Sequence, residues 1–105
     1  MASLAAPPKA YSAFITRFPK LAEAWQLLRQ AGESGPLDQR SVHLVKLAVA
    51  IGSMREGAVH SAVRKALSAG ATREEIYQVV ALAASNIGLP SAVAVSTWVQ
   101  DRFGD

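Results

Sequence analysis

The fold is decided by residues 54–76, which read MREGAVHSAVRKALSAGATREEI. From Glu56 to Ala69 the residues are good helix formers, and apolar ones recur at the three-and-four spacing of one helix face. Gly70 then occupies the position just past a helix end, where a left-handed backbone favours glycine. Thr72 and Glu75 have the spacing of a capping box at a helix start. The stretch therefore predicts a helix, a glycine stop and a second, capped helix.

The apolar face of the first predicted helix is built from small side chains, which are Ala58, Val59, Ala62, Val63, Ala66 and Leu67. Alanine lets a neighbouring backbone approach closely. We therefore expect this helix to pack tightly against another one.

The opposite face of the same helix is polar, because Glu56, His60 and Arg64 follow one another at a spacing of four residues. One interpretation is functional: a carboxylate orients an imidazole, which gives or takes a proton near neutral pH. The other is a solvated ladder of ion pairs, each worth a few tenths of a kcal/mol. The spacing alone leaves both open.

Several further segments complete a family pattern, and these are Leu37-Asp38, Leu47–Ala50, Arg55–Gly57, Ala66–Thr72 and Glu74–Ile76. With them, the chain from about Leu37 to Trp98 resembles the carboxymuconolactone decarboxylase family, which includes the alkylhydroperoxidase D group. The Gly-Ala-Thr-x-x-Glu-Ile signature after an alanine-rich helix is moderately specific. The resemblance implies a compact all-α helical bundle and either lactone decarboxylation or hydroperoxide reduction.

The chain departs from the peroxidase members at their thiol positions. Those members carry two cysteines at the head of this helix, at sites that fall near Arg55 and Ala58. This sequence contains no cysteine. A thiolate nucleophile and a redox disulfide are therefore excluded.

The proton-transfer positions of the family are also altered. The family histidine, eight residues before the glycine, corresponds to Ala62, and His60 precedes it by two residues, or about 200° of helix rotation. The family glutamate, four residues before the Leu-Ala-Val run, falls at His43. The catalytic residues that we predict are His60, Glu56 and His43.

Length and composition predict one domain, with residues 1–36 as an N-terminal lead-in and helices and residues 37–105 as the family-like core. Half of the 105 residues are hydrophobic, which suits a single modest core. The lack of cysteine fits a reducing compartment, and no segment resembles a membrane span or a signal peptide. We therefore expect a cytoplasmic protein without a membrane partner.

The net charge of +3 does not predict nucleic-acid binding. The basic residues are scattered singly among acidic ones, without interleaved stacking aromatics or a polar recognition helix. A solvated surface explains the charge more simply.

The N-terminal part predicts a lead-in over Met1–Lys9 and two helices, over Tyr11–Phe18 and from Pro19 to Ala31. Trp25 either belongs to the core or lines a ligand pocket. The predicted buried stripe of the second helix is Leu21, Ala24, Trp25 and Leu28.

Asp38 is predicted to cap a helix that runs to about Gly52 and is apolar except for the strip of Gln39, His43 and Lys46. The ammonium group of Lys46 would favour a neutral imidazole at His43, and so a base or hydrogen-bond partner. Alternatively, His43 lies at an exposed polar edge.

The connection Gly52-Ser53-Met54 leads into the central helix, whose free NH groups favour an anion. We expect Arg55 and Ser53 to bind a small organic acid there, in a pocket where the 42–52 helix meets the 55–69 helix. Alternatively, Arg55 is solvated or paired with an acid and Ser53 only caps a helix. No metal site is predicted, because neither a His-x-x-x-His pair nor clustered carboxylates occur. No cofactor is predicted either.

The remaining sequence predicts a helix from Glu74 to about Ile87, a break at Gly88-Leu89-Pro90, and a last helix led by Ser91. Asn86 is a candidate buried polar group, which either belongs to a site or makes a hydrogen bond at the helix end. The apolar faces exceed what one small bundle hides, so we expect a homo-oligomer that shares helices between subunits, as family members commonly do.

Two functional hypotheses follow. In the first, the chain is a carboxymuconolactone decarboxylase-like lyase that transfers protons on a small organic acid or lactone, by decarboxylation or isomerisation. In the second, it is a non-catalytic ligand-binding or assembly module that retains the fold. The sequence alone leaves open whether the protein is an enzyme.

Overall fold

The computed structural model describes residues 9–104, and within this range the chain forms six α-helices and no strand. The helices are α1 (Lys9–Arg17), α2 (Pro19–Glu33), α3 (Gln39–Gly52), α4 (Glu56–Ser68), α5 (Arg73–Ile87) and α6 (Leu89–Phe103). The predicted all-α class is confirmed. Apart from Lys9, the predicted lead-in lies outside the described residues. None of these helices is long and apolar enough to cross a membrane.

The end of α4 has the glycine stop that the sequence predicts. Gly70 has a φ of 97°, in the left-handed region that glycine adopts without strain. Its NH donates to the Leu67 carbonyl at 3.1 Å, and the Ala71 NH donates to the Ala66 carbonyl at 3.0 Å. These two bonds form a complete Schellman motif, which satisfies carbonyls that the helix leaves free.

The capping box at the start of α5 also ties this helix to α3. Glu75 NH donates to Thr72 Oγ1 at 3.1 Å, and Thr72 NH donates to Glu75 Oε1 at 2.9 Å. The second carboxylate oxygen, Glu75 Oε2, accepts from Arg40 Nη1 at 2.9 Å. One carboxylate therefore caps α5 and pairs with the first turn of α3.

Asp38 caps α3 as predicted, with its Oδ1 accepting from the Ser41 NH at 2.7 Å. At the other end of the chain, α6 begins at Leu89 rather than at Ser91. Gly88, with a φ of 90°, turns the chain, and Pro90 lies in the first helical turn, where its missing NH costs nothing.

The core is formed by α3–α6, whose inward faces bury aliphatic side chains of modest size. Seven side chains are completely buried, and they are Leu47, Ile51, Val59, Val63, Ile76, Val95 and Val99. Ala66, Ala71 and Ala92 fill the remaining space. The prediction of a small-residue face on α4 is confirmed for Val59, Val63 and Ala66, which are its buried residues. It is wrong for Leu67, which is exposed at the end of the helix.

The helices α1 and α2 form a separate unit and bury no residue completely. Within this pair, the rings of Phe14 and Phe18 lie 5.2 Å apart. Leu21, Trp25 and Leu28 are exposed in the single chain, so the predicted buried stripe of α2 is wrong. A helix buries a stripe only where a partner covers it, and spacing alone does not supply that partner.

We expect Gly70→Ala to lower the free energy of unfolding by about 1–2 kcal/mol, the cost of a left-handed conformation for a residue with a Cβ. Denaturant unfolding followed by far-UV circular dichroism measures this loss. Gly57→Ala is the matched control, because Gly57 is helical and an added Cβ meets no atom within 4 Å. An equal loss in both variants would contradict the left-handed assignment.

The Asp38 cap predicts a pH-dependent stability. The hydrogen bonds from Ser41 lower the pKa of the Asp38 carboxyl below its usual 3.8, with a smaller contribution from the Arg40 charge. A lowered folded-state pKa means that the stabilisation is present above the ordinary pKa and is lost as the pH falls through the folded-state value.

We therefore expect Asp38→Ala to lower the Tm at neutral pH, with the difference from wild type shrinking below about pH 3.8. Thermal melts across an acid series measure it. Asp38→Asn is the control for hydrogen bonding, since asparagine also caps helices but carries no charge. If the difference in Tm between wild type and Asp38→Ala stayed constant into strong acid, the cap would not depend on a charged carboxylate.

Candidate functional site

The start of α4 lies beside the end of α6, and three ionisable side chains meet there. His60 follows Glu56 by one helical turn, and its Nε2 lies 3.7 Å from Glu56 Oε2. From α6, Asp101 Oδ2 lies 3.9 Å from the same nitrogen. We call Glu56, His60 and Asp101 the imidazole–carboxylate cluster.

The imidazole of the cluster is shielded while its carboxylates are open to solvent. The side chain of His60 is 23% exposed, against 54% for Glu56 and 60% for Asp101. Nε2 of His60 is itself inaccessible to solvent and makes no hydrogen bond. Both carboxylate distances exceed hydrogen-bonding range but lie within the range of an ion pair. The cluster therefore presents a protected nitrogen between two accessible acids.

Aromatic contacts hold the end of α6 that carries Asp101. The ring of Phe103 lies 5.6 Å from the ring of Tyr77 in an edge-on arrangement. The Arg73 guanidinium carbon lies 4.7 Å from the centre of the Phe103 ring, and its Nη2 donates to the Phe103 carbonyl at 3.4 Å. Phe103 lies two residues after Asp101, so these contacts hold the last turn of α6 against the start of α5.

The predicted catalytic residues meet only in part. Glu56 and His60 face each other, as their spacing implies. His43 lies half-buried on α3, outside the imidazole–carboxylate cluster. The third side chain beside Glu56 and His60 is Asp101. The sequence did not point to it, because it lies 41 residues beyond His60 on another helix.

The predicted anion-binding residues lie at the connection between α3 and α4. The Ser53 hydroxyl donates to the Val49 carbonyl at 2.8 Å and is 3.2 Å from the Ala50 carbonyl. Its proton is thus engaged in closing α3, which agrees with the helix-capping alternative. Arg55 is exposed and precedes α4, without a side-chain cap at that helix start.

Met54 at this connection has a left-handed backbone, with a φ of 55°. Such a conformation costs a residue with a Cβ about 1–2 kcal/mol. The NH of Met54 donates to the Ile51 carbonyl at 2.9 Å, so the strained residue completes the last turn of α3. The turn brings the chain directly into Arg55 and Glu56.

An open apolar groove of about 520 Å³ lies between α3 and α5. Its lining is Leu44, Val45, Ala48, Gly52, Val79, Leu82, Ala83, Asn86 and Ile87. The sequence predicted a pocket between α3 and α4 instead. Completely buried side chains such as Leu47 and Val59 fill the core there.

Asn86 is exposed at this groove, so the prediction that it is a buried polar group is wrong. Its Oδ1 lies 3.4 Å from the neighbouring Ser85 hydroxyl. The groove between α3 and α5 is open, so the side chain of Asn86 lines it without being covered. Its amide is the polar group of an otherwise largely apolar lining.

The arrangement of the cluster suits acid–base chemistry. An imidazole can accept a proton from a bound molecule or donate one to it, and two carboxylates lie beside its Nε2 here. The groove suits apolar contact. The imidazole–carboxylate cluster and the groove have no residue in common.

The comparisons with known proteins agree with this architecture. Residues 19–101 match the model of the carboxymuconolactone decarboxylase family. The fold is similar to the crystal structure of an apo carboxymuconolactone decarboxylase family protein from Legionella pneumophila, with a TM-score of 0.80 and 23% identity. That similarity covers 91% of this chain and 87% of the other. No curated protein is significantly similar in sequence. Because the family model spans most of its length, the chain belongs to the carboxymuconolactone decarboxylase family.

Proposed function

We propose that this protein catalyses proton transfer on a small organic acid or lactone, with His60 as the acid–base group. The observation that carries the proposal is the position of His60 Nε2, shielded from solvent and lying 3.7 and 3.9 Å from two carboxylates. Family membership agrees with decarboxylation as the reaction class. The absence of cysteine from the sequence excludes the thiol-dependent peroxidase alternative.

The proposed decarboxylation balances without a cofactor. The bond between the substrate carbon and its carboxylate breaks, carbon dioxide leaves, and the electron pair is delocalised into the conjugated carbonyl of the lactone. The imidazolium of His60 then donates its Nε2 proton to carbon, and the exposed carboxylates of Glu56 and Asp101 pass a proton from solvent back to that nitrogen. Isomerisation uses the same atom, which removes a proton from one carbon and returns it to another.

The neighbouring groups have distinct roles in this proposal. Glu56 and Asp101 are positioning residues, which orient the imidazole toward the substrate. Arg55, one residue before Glu56, holds the carboxylate of the substrate, and the uncapped start of α4 supports the same negative charge. The Ser53 hydroxyl donates its proton to the Val49 carbonyl and therefore takes no part in holding the anion, and His43 acts as an auxiliary proton carrier if the substrate extends to α3.

We expect His60→Gln to lower kcat by about 10²- to 10⁴-fold, the usual contribution of a general acid–base group. A panel of small carboxylated lactones and 3-oxo acids provides the assay, with carbon dioxide release and deuterium incorporation from D₂O as readouts. Far-UV circular dichroism checks that the variant remains folded. Activity retained in a folded His60→Gln variant would remove His60 from the mechanism.

Asp101→Asn tests the positioning role separately. We expect kcat to fall about tenfold with KM nearly unchanged, since an orienting charge interaction is lost while substrate contacts remain. Asp101→Glu should restore part of the rate. Glu74→Gln is the control, because it removes an exposed carboxylate outside the cluster. A larger effect on KM than on kcat would place Asp101 in substrate binding instead.

A second candidate function is a non-catalytic ligand-binding or assembly module, and the groove between α3 and α5 favours it. Around the groove, Val49 is 68% exposed and Leu82 is 65% exposed, and Val45 is also accessible. Complete burial of one such side chain contributes about 1.5–3 kcal/mol. Association of two copies of the chain through this face would therefore be favourable. Homo-oligomer formation through this face is the corresponding proposal.

Leu82→Glu should convert the assembly to monomers, because it places a charge in an apolar contact. Sedimentation velocity across a concentration series measures the change. Ala81→Glu is the matched control: it introduces the same charge at the adjacent exposed residue of α5, which does not line the groove. An unchanged mass in Leu82→Glu, or an equal shift in both variants, would contradict assembly through the groove.

A further inference from the structure

The imidazole–carboxylate cluster also has the composition of a metal site. Glu56, His60 and Asp101 each offer one ligand atom, and these atoms all lie within 4.8 Å of one another. Two carboxylates and a neutral imidazole supply two negative charges and one nitrogen lone pair. This is a common donor set for divalent ions of the first transition series.

The spacing of the donor atoms fits an ion better than it fits direct contacts. Nε2 lies 3.7 Å from Glu56 Oε2 and 3.9 Å from Asp101 Oδ2, beyond hydrogen-bonding range. The ligands of a tetrahedral zinc site lie roughly 3.4 Å apart when each is about 2.1 Å from the ion. The three ligand atoms lie within 4.8 Å of one another, so movement of the two exposed carboxylates toward each other by roughly an ångström would close the site around an ion.

The environment of each ligand supports the same interpretation. His60 Nε2 is inaccessible to solvent and has no hydrogen-bond partner, so it gains from a ligand that accepts its lone pair. Asp101 lies in the last turn of α6, where the helix dipole disfavours a carboxylate and favours a cation. The exposure of both carboxylates leaves a path for the ion and room for water as its remaining ligands.

We propose that Glu56, His60 and Asp101 bind a divalent first-row transition-metal ion of the Zn²⁺ class, through Oε2, Nε2 and Oδ2. The ion and the transferred proton would compete for the same nitrogen, so binding would inhibit the proton transfer proposed above. The binding itself does not depend on that activity. A protein without turnover would still bind the ion.

Isothermal titration calorimetry of the full chain with ZnCl₂, in a buffer that does not chelate, tests the site directly. We expect one ion per chain and a rise in Tm with ion concentration. His60→Gln, Glu56→Gln and Asp101→Asn should each weaken binding at least about tenfold. Glu74→Gln, which removes an exposed carboxylate elsewhere, should leave the affinity unchanged.

Paramagnetic broadening by Co²⁺ locates the ion in the wild-type protein without any substitution. Amide signals near residues 56–60 and 99–103 should broaden first. Broadening centred elsewhere, no binding at millimolar Zn²⁺, or an equal loss of affinity in Glu74→Gln would overturn the proposal. Because these readouts record binding, failure of the catalytic proposal leaves them interpretable.

Discussion

The burial of the small aliphatic face of α4 is the interaction on which the rest of α3–α6 depends. Val59 and Val63 are completely buried, and α4 packs against both α3 and α6. Each such burial contributes about 1.5–3 kcal/mol. Because His60 follows Val59, burying the valine directs the imidazole about 100° around the helix, to the rim of the core. The same packing that stabilises the bundle therefore positions the imidazole nitrogen.

Rigid elements surround that nitrogen, while its charged neighbours are accessible. The last turn of α6 is held by Phe103, Tyr77 and Arg73, and the strained Met54 turn leads directly into α4. This combination of a fixed imidazole and exposed carboxylates suits exchange with a small ligand. A proton and a metal ion would both bind the lone pair of His60 Nε2, so only one of them can occupy it at a time. Turnover measures the transfer of the proton, and calorimetry measures the binding of the ion.

The helix boundaries that carry a cap or a glycine stop were predictable because these signals are local, whereas α1 and α6 each begin two residues earlier than predicted. Gly70, the Thr72–Glu75 box and the Asp38 cap each act within one turn, and each bonds as expected. Burial was less predictable. Trp25 lies in an apolar stripe and is exposed, and Asn86 lines a groove rather than a core. A periodic apolar face shows that a partner is favoured, but only the packing decides whether another helix of the chain covers it.

The sequence by itself determined that the chain is helical, where its central helices start and stop, that thiol chemistry is absent, and that Glu56 faces His60. These follow from residue type and from the period of the helix, which act over a few residues. Only the tertiary structure brought Asp101 to the cluster and placed the groove between α3 and α5. Contacts between residues 41 positions apart depend on how α4 and α6 pack, since no local rule relates their rotations about their axes.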